Sequence, residues 1–244
     1  MTPAGRVVVV GDVMVDVSAT ASVPLVRGSD APADVRFRGG GSGANVAAWL
    51  AASGVPTTLI GRVGDDPAGR ADTAALRSAG VDVRLAVDPR LPTGTCVTIV
   101  EPDGERTFLP DRGANRALTL EDLAADLFVD QGGHLHLSGY VLLDDGPGRA
   151  AGLAALRLAT SAGMTISVDP SSSGPLRSVG RQAFLEWTAG THVLLPNADE
   201  LLALTGEADP AEGARRLVAA AGCREVVVTL GAHGALWTDG LRTL

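Results

Sequence analysis

The stretch Arg38-Gly39-Gly40-Gly41-Ser42-Gly43-Ala44-Asn45 passes without a break into a helical pattern, VAAWLAASG, at 46–54. Four glycines in five positions let backbone approach a ligand without side-chain clashes, and the first N–H groups of the helix point at the same place. A flexible surface loop is the alternative, but such a loop rarely runs straight into an amphipathic helix. The spacing Gly39-x-Gly41-x-x-Ala44 also loosely matches a dinucleotide-binding fingerprint, which belongs directly after the first strand rather than about 25 residues later. We therefore expect a site for a small polar ligand.

Around this loop, apolar β-branched runs alternate with helical patterns from one end of the chain to the other. The predicted strands are Arg6–Val10, Thr57–Gly61, Val81–Ala86, His134–Ser138, Thr165–Asp169, His192–Pro196 and Glu225–Leu230. The predicted helices are Gly43–Ser53, Pro67–Ala79, Leu120–Phe128, Gly146–Ala162 and Ala211–Ala221. A glycine follows four of these helices, where a left-handed cap is favoured. This alternation predicts an α/β, three-layer sandwich with a mostly parallel central sheet.

Four strand-like pieces interrupt the alternation, and they are Val13–Ala19, Val35–Arg38, Gly94–Glu101 and Arg106–Leu109. We expect them to form a small β-sheet lid over the edge where α/β sheets bind ligands. The expected division is a core of 1–12, 39–92 and 112–244 with a lid of 13–38 and 93–111. An exposed lid edge can pair with a second copy of itself, so a homodimer through the lid is expected.

Composition excludes several classes of function. The chain has 244 residues, 20 basic against 28 acidic side chains and a net charge of −8, which disfavours nucleic acid as a partner. Every basic residue is an arginine, so mechanisms that need a lysine nucleophile or a P-loop lysine are excluded. No apolar run reaches the roughly 18–20 residues of a membrane span. The N-terminal residues lack a secretory leader pattern, and we expect a cytoplasmic protein.

Cysteine and histidine add little to the functional prediction. Cys96 and Cys223 are far apart in sequence and are expected to be free and reduced. His134 and His136 would share one face of a strand, a spacing that could ligate a metal. Without a third ligand nearby, we interpret them as structural residues.

Asp12 and Asp16 directly follow the first predicted strand, at the sheet edge that binds ligands. A carboxylate there can accept charge-assisted hydrogen bonds from two hydroxyl groups, which suits a polyol. Isolated aspartates at such a place are often turn residues or caps. Together with the glycine-rich loop and Asn45, they favour a polyol site.

These motifs resemble the ribokinase-like (PfkB) carbohydrate kinase family in their order along the whole chain. They are GDVMVD (11–16), the glycine-rich stretch through GDDPAG (39–69), DRGAN (111–115), HLSGY (136–140), DPSS (169–172), PNADE (196–200) and VVVTLGAHGALW (226–237). The stretch at 39–69 is similar to the family's first signature and is highly specific. The resemblance implies transfer of a phosphoryl group from ATP, with Mg²⁺, to a hydroxymethyl group of a sugar or nucleoside.

The resemblance also implies roles for single residues. Substrate binding falls to Asp16, Gly40, Gly41, Asn45, Arg112 and Ser138. Nucleotide binding falls to Asn197, Glu200, Thr229 and Gly231, and Glu200 would hold the metal through water. A helix cap followed by an ordinary acidic residue is the plain alternative for Asn197 and Glu200, as an exposed turn arginine is for Arg112.

Two departures from the family pattern bear on function. Ser138-Gly139-Tyr140 stands where ribokinases have a glutamate, which argues against ribose itself. The D-T-x-G-A-G-D segment, which in the family supplies the anion-binding helix N-terminus and the catalytic aspartate, does not occur in the sequence. We expect that segment beyond Leu244, and we expect the chain as given to be inactive. A sugar- or nucleoside-binding protein without catalysis is the main alternative, and a nucleotide-dependent oxidoreductase is a weaker one.

Overall fold

A computed structural model describes residues 5–129 and 132–244 of the chain. The strands in these ranges are β1 (Val7–Val10), β2 (Met14–Ala21), β3 (Ala33–Gly40), β4 (Thr57–Gly64), β5 (Asp82–Asp88), β6 (Gly94–Val100), β7 (Arg106–Asp111), β8 (His134–Ser138), β9 (Thr165–Asp169), β10 (Val193–Leu194), β11 (Glu225–Thr229) and β12 (Ala235–Thr238). The helices are α1 (Ser42–Ala52), α2 (Pro67–Ser78), α3 (Tyr140–Leu143), α4 (Pro147–Ser161), α5 (Ser173–Val179), α6 (Arg181–Trp187), α7 (Ala198–Thr205) and α8 (Pro210–Ala221).

The main sheet has eight strands in the order β12-β11-β10-β9-β8-β1-β4-β5. Its neighbours pair in parallel, except that β12 runs antiparallel to β11. Strand β1 lies between β4 and β8 and is buried on both faces, which explains its uninterrupted run of four valines. Val8 and Val10 face the larger part of the core with α4, whereas Val7 and Val9 face α1. The predicted three-layer α/β sandwich is confirmed.

The lid is a second sheet of four strands in the order β3-β2-β6-β7. Strands β2 and β6 are parallel, and the two outer pairs are antiparallel. The register places Asp16, Cys96 and Pro110 in one row on one face of this sheet. Because side chains alternate along a strand, their neighbours Val17 and Val97 lie on the other face. Strand β3 extends through Gly39 and Gly40, which the sequence analysis assigned to the core, so the exact domain limits stay a proposal.

The predicted helix at Leu120–Phe128 is wrong. Two short 3-10 turns, Leu120–Asp122 and Ala125–Val129, replace it, with a non-helical Phe128 in the second. The physical reason is that Asp122 closes the first turn by accepting a bond from the N–H of Thr119 (2.9 Å) and a second from Arg62 (2.8 Å). Leu123 then leaves the turn in an extended conformation and is buried.

Other elements differ from the expectations in extent. The predicted strand His192–Pro196 contains only the two residues of β10. The helices α3, α5, α6 and α7 are not among the predicted helices, because their sequences are short and carry no long apolar period; only a possible helix cap at Asn197 pointed to α7. Within the described residues, no helix combines the length and apolar character that a membrane crossing demands.

Candidate active site

A cavity of about 710 Å³ lies between the lid and the carboxyl ends of the central strands. Its wall includes Asp12 and Asp16 after β1, the start of α1, the row of lid side chains that faces inward, and the start of α7. This is the edge at which open α/β sheets bind their ligands. Of the predicted site residues, the cavity brings together Asp16, Gly41, Asn45, Arg112, Asn197 and Glu200.

Asp12 forms the floor of the cavity and is almost fully buried, with 2% of its surface exposed. Its carboxylate accepts bonds from the backbone N–H groups of Ser42 (3.3 Å) and Gly43 (3.4 Å). The first N–H groups of a helix have no partner inside the helix, and the cap residue Gly41 has no side chain to supply one. Asp12 therefore caps α1 from a distant part of the chain rather than serving only as a turn residue.

Ser138 is fully buried and does not line the cavity. Its hydroxyl donates to Asp12 Oδ1 (3.2 Å) and lies 3.3 Å from the hydroxyl of Ser171. The expectation that Ser138 contacts substrate is therefore corrected: its position fits support of Asp12 from below, because the row of β8 side chains points into the protein at this point.

Asp16 lies on the inward face of the lid and is half-buried. Burial raises the pKa of Asp16 above its ordinary value, and the nearby charge of Asp12 raises it further. The carboxylate fills the space in which a Cβ of Gly40 would stand, so any larger residue there would have to displace Asp16. On the opposite side of the same strand, a Cβ at Gly39 would lie 2.8 Å from Asp72 Oδ1. Two adjacent glycines thus let one strand pass between two carboxylates.

Gly41 and Asn45 complete this side of the cavity. Gly41 has a φ of 96°, and a Cβ there would also lie 2.6 Å from the carbonyl oxygen of Asp12. Any other residue would be both strained and blocked. Asn45 is exposed one turn into α1 and lines the cavity, and its amide has no hydrogen-bond partner among the described residues. The amide is therefore free to bind a ligand.

Arg112 lies on the cavity wall with only 13% of its side chain exposed, and is not the exposed turn arginine of the alternative interpretation. Its Nε is 3.0 Å from Oδ2 of Asp144, and its guanidinium carbon is 4.6 Å from the centre of the Tyr140 ring. The planar guanidinium is thus held on two sides, by a carboxylate and by an aromatic face.

Asn197 and Glu200 form a reciprocal capping box at the start of α7. The N–H and the Nδ2 of Asn197 donate to the two carboxylate oxygens of Glu200 (2.9 and 2.7 Å), and Asn197 Oδ1 accepts from the N–H of Glu200 (2.9 Å). Only 2% of Glu200 is exposed. Burial raises the pKa of Glu200 to about 7, although the bonds from Asn197 oppose this shift.

Thr229 and Gly231 do not line this cavity. Both are exposed at the end of β11, where Thr229 pairs with Asn197 in a parallel bridge and donates its N–H to Pro196 (3.0 Å). Gly231 has a φ of 60°, which favours glycine. The two residues therefore extend the same sheet edge beyond the cavity.

Several cavity residues were missed at the sequence level, among them Cys96, Phe108, Pro110, Tyr140 and Ser171. The lid residues could have been found from the alternation of β6 and β7 once their register with Asp16 was known. Ser171 has a φ of 71°, rare for a residue other than glycine, and its hydroxyl accepts from the N–H of Tyr140 (3.3 Å). The turn at Asp169, which accepts from the N–H of Ser171 (2.9 Å), is confirmed.

His134 and His136 share one face of β8, as the spacing predicted, and both contact the hydroxyl of Ser167 (2.7 and 2.9 Å). Burial lowers the pKa of His136 to about 4. Cys223 is buried and Cys96 is half-buried, and neither is in a disulfide.

One protein-family model, described as pfkB family carbohydrate kinase, matches residues 4–244. The chain belongs to this family. The resemblance read from the motifs is thereby confirmed, and the glycine-rich loop, the NADE capping box and the lid are features of a pfkB-family carbohydrate kinase chain.

Individual pfkB-family relatives differ in what their names say they act on. An ATP-dependent ribose-1-phosphate kinase of Halopiger xanaduensis is 36% identical over 203 residues, which cover 82% of this chain and 64% of the relative. The chain thus spans less than two thirds of that relative's length. A crystal structure of adenosine kinase from Sinorhizobium meliloti has a TM-score of 0.86 at 25% identity, covering 99% of this chain and 79% of that one. Fructokinase from Vibrio cholerae O395, in its fructose, ADP and calcium ion bound form, has a TM-score of 0.81 at 28% identity, covering 99% and 76%.

Proposed function

We propose that the cavity is the acceptor site of an ATP-dependent kinase that phosphorylates a hydroxymethyl group of a sugar or nucleoside. The observation that carries the proposal is the meeting of Asp16 and the free amide of Asn45 in one cavity with the Asn197–Glu200 pair. An ionised carboxylate and an amide recognise adjacent hydroxyl groups, and hydrogen bonds to charged groups contribute about 1.5–3 kcal/mol each. The proposal is supported by the names of the similar proteins, which are kinases of ribose 1-phosphate, adenosine and fructose.

In this proposal each side of the cavity has one task. Asp16 and Asn45 hold the acceptor hydroxyls, while Asp12 keeps the first turn of α1 against them through its bonds to Ser42 and Gly43. The lid, which contributes Cys96 and its neighbours on β7, covers the acceptor and excludes water. Exclusion of water strengthens every charged hydrogen bond inside the cavity.

The residues at the other end of the cavity fit Mg²⁺ with its water shell better than bare Mg²⁺. Both oxygens of Glu200 already accept bonds from Asn197 and only 2% of the residue is exposed, so a water molecule of a hydrated ion fits here more easily than the ion itself. Glu200 is nonetheless buried beside the negative charges of Asp169 and Asp199, and a divalent cation at this edge would offset that repulsion. Mg²⁺ would neutralise charge on the phosphates of ATP, with Thr229 and Gly231 proposed as nucleotide contacts.

We assign no proton acceptor for phosphoryl transfer among the described residues of the cavity. The D-T-x-G-A-G-D segment that carries it in the family does not occur in the sequence, and Asp169 is engaged with the N–H of Ser171 in its turn. We therefore propose that this chain alone binds the acceptor without transferring phosphate. A cytoplasmic location, in which Cys96 and Cys223 would stay reduced, belongs to the same proposal.

Calorimetric titration of the chain with fructose, ribose and adenosine tests the acceptor site. Binding of at least one of these is expected, and Asp16→Asn should weaken it by about 10- to 100-fold because a charged hydrogen-bond acceptor is lost. Asp30→Asn is the matched control, since it removes the same charge from an exposed position between β2 and β3. Equal binding by both variants would contradict the assignment of Asp16. ADP release by the unmodified chain would show that the proton acceptor is already present.

The proposed homodimer through the lid is supported by the outward face of that sheet. Val17, Val97 and Leu109 stand in one row with Phe37, and 72% of the Phe37 surface is exposed. Such an apolar row favours burial against another surface. Light scattering should show a dimer that Phe37→Ser weakens. A monomer at high concentration would refute this part of the proposal.

A further inference from the structure

The wall of the acceptor cavity is strongly acidic. Within the described residues it includes the carboxylates of Asp12, Asp16, Asp144, Asp199 and Glu200, and a single arginine. A sugar phosphate or a sugar acid entering this cavity would meet electrostatic repulsion from several of these carboxylates, which is stronger in a partly enclosed cavity than in bulk water. Recognition of an anionic acceptor would therefore depend on Arg112, the one cation that the described residues contribute to the wall.

Arg112 is already occupied. Its Nε lies 3.0 Å from Oδ2 of Asp144; both atoms are inaccessible to solvent, and the contact is an ion pair without hydrogen-bond alignment. Tyr140 stacks on the guanidinium from another side, at 4.6 Å from ring centre to guanidinium carbon. With 13% of its side chain exposed, Arg112 has little freedom to turn toward a ligand. The pair is close to neutral as seen from the cavity, so it offers no net positive charge to a phosphate.

A second arginine near the acceptor site does not change this balance. Arg38 stands opposite Asp16 in the register of β2 and β3, on the same face of the lid. Its side chain is exposed and lies outside the cavity wall.

We propose that Asp144 is a specificity-determining residue that restricts the cavity to uncharged acceptors, by holding Arg112 as an internal ion pair. The inference rests on the proposed function, since it concerns the acceptor of that same site. The Halopiger xanaduensis relative is named a ribose-1-phosphate kinase, and that name implies a sugar phosphate as its acceptor. The acceptor proposed for this chain differs in that it carries no charge. Release of Arg112 from Asp144 would supply the planar donor set that binds phosphate in a bidentate way.

The test compares neutral and anionic sugars on the chain as it exists. Calorimetric affinities for ribose and ribose 1-phosphate, and for fructose and fructose 6-phosphate, give a ratio of neutral to anionic binding for each protein. The unmodified chain should favour the neutral sugar of at least one pair by more than 10-fold. Asp144→Asn should shift that ratio toward the anionic sugar by 10-fold or more, and the shift should disappear in the double variant Asp144→Asn with Arg112→Met.

Asp145→Asn is the matched control. It removes the same charge one residue further along, where the carboxylate is 96% exposed and pairs with Arg149 instead. Its ratio should equal that of the unmodified chain. Tight binding of ribose 1-phosphate or fructose 6-phosphate by the unmodified chain would overturn the inference while leaving the proposed kinase intact. An unchanged ratio in Asp144→Asn, or a shift that persists without Arg112, would overturn the role of Asp144. Failure of every sugar to bind would overturn the inference, and failure of adenosine as well would remove the proposed acceptor site.

Discussion

The carboxylate of Asp16 occupies the space that a side chain at Gly40 would need. The two residues belong to neighbouring lid strands, β2 and β3, so the close approach is set by sheet geometry rather than by a flexible loop. Because Gly40 has no side chain, the Asp16 carboxylate can take the orientation in which it would accept hydrogen bonds from hydroxyl groups.

Gly40→Ala should weaken acceptor binding by at least about 10-fold, because the added methyl group displaces Asp16 from its position. Calorimetry with fructose measures the loss. Gly174→Ala is the control, since nothing lies within 4 Å of that position and its φ is not positive. If Gly40→Ala binds as tightly as the control, the orientation of Asp16 does not depend on Gly40.

Glu200 gives the stability of the protein a pH dependence with a definite sign. Its pKa in the folded protein is about 7 against an ordinary value of 4.5, so between these values the folded state keeps a proton that the unfolded state has released. Stability should therefore fall as pH rises from about 4.5 to 7 and stay level above. Glu200→Gln should abolish this fall. Above pH 7 the variant should gain at most about 3 kcal/mol in the free energy of unfolding, and the gain is reduced because the amide nitrogen of Gln cannot accept one of the two hydrogen bonds from Asn197.

Urea unfolding at several pH values between about 5 and 8 measures this difference. The buried histidines titrate in the same range with the opposite slope, but they are common to both proteins and cancel in the comparison. Exposed Glu186→Gln serves as control. Parallel curves for Glu200→Gln and the unmodified chain would show that Glu200 is not protonated in the fold.

Arg62 joins three parts of the core, because it reaches from β4 to Asp88 of β5 (3.1 Å) and to Asp122 of the first 3-10 turn (2.8 Å). Its side chain is 17% exposed, so removal leaves two nearly buried carboxylates without a partner. Arg62→Ala should cost about 3 kcal/mol of the free energy of unfolding. Arg84→Ala, which breaks an exposed pair with Asp82, should cost less than about 0.5 kcal/mol. Similar losses in both variants would contradict this ranking.

Cys96 reports occupation of the acceptor site, because its thiol lies in the cavity wall in one row with Asp16. Burial raises the pKa of the Cys96 thiol, so alkylation by iodoacetamide at about pH 8.5 should be slower than for an exposed thiol, and fructose should slow it further. Cys223 should resist, since burial raises the pKa of its thiol to about 11. Mass spectrometry of the modified chain, with Cys96→Ser as control, gives both rates. If an acceptor binds the chain but does not change the rate of Cys96 modification, that acceptor binds outside this cavity.

The alternation of apolar runs and helical patterns was enough to predict the three-layer sheet, because parallel strands and their covering helices leave local signals. Caps were readable for the same reason: the glycines that follow four predicted helices all have a positive φ, as left-handed caps require, and they are Gly54, Gly80, Gly163 and Gly222. The stretch after Thr119 defeated the prediction, since its apolar residues have helical spacing but Asp122 bonds to Arg62, which is 60 positions away.

The candidate site was predictable only in part for a related reason. Asp16, Gly41 and Asn45 were found because they are close in sequence or match a specific motif. The partners of Arg112 and the placement of Cys96 depend on the register of the lid and on the turn after β8, which no local pattern encodes. Ser138 was assigned to the wrong side because strand periodicity fixes which residues share a face, but not which face meets the ligand.

The hydrogen bond from Ser138 to Asp12 spans 126 positions of the chain. A nascent polypeptide that has emerged only as far as the lid already carries Asp16 and the glycine-rich loop, yet nothing supports Asp12 from below. During synthesis, affinity for the ligand should therefore arise only after β8 has paired with β1. N-terminal fragments that end before β8 should not bind the ligand.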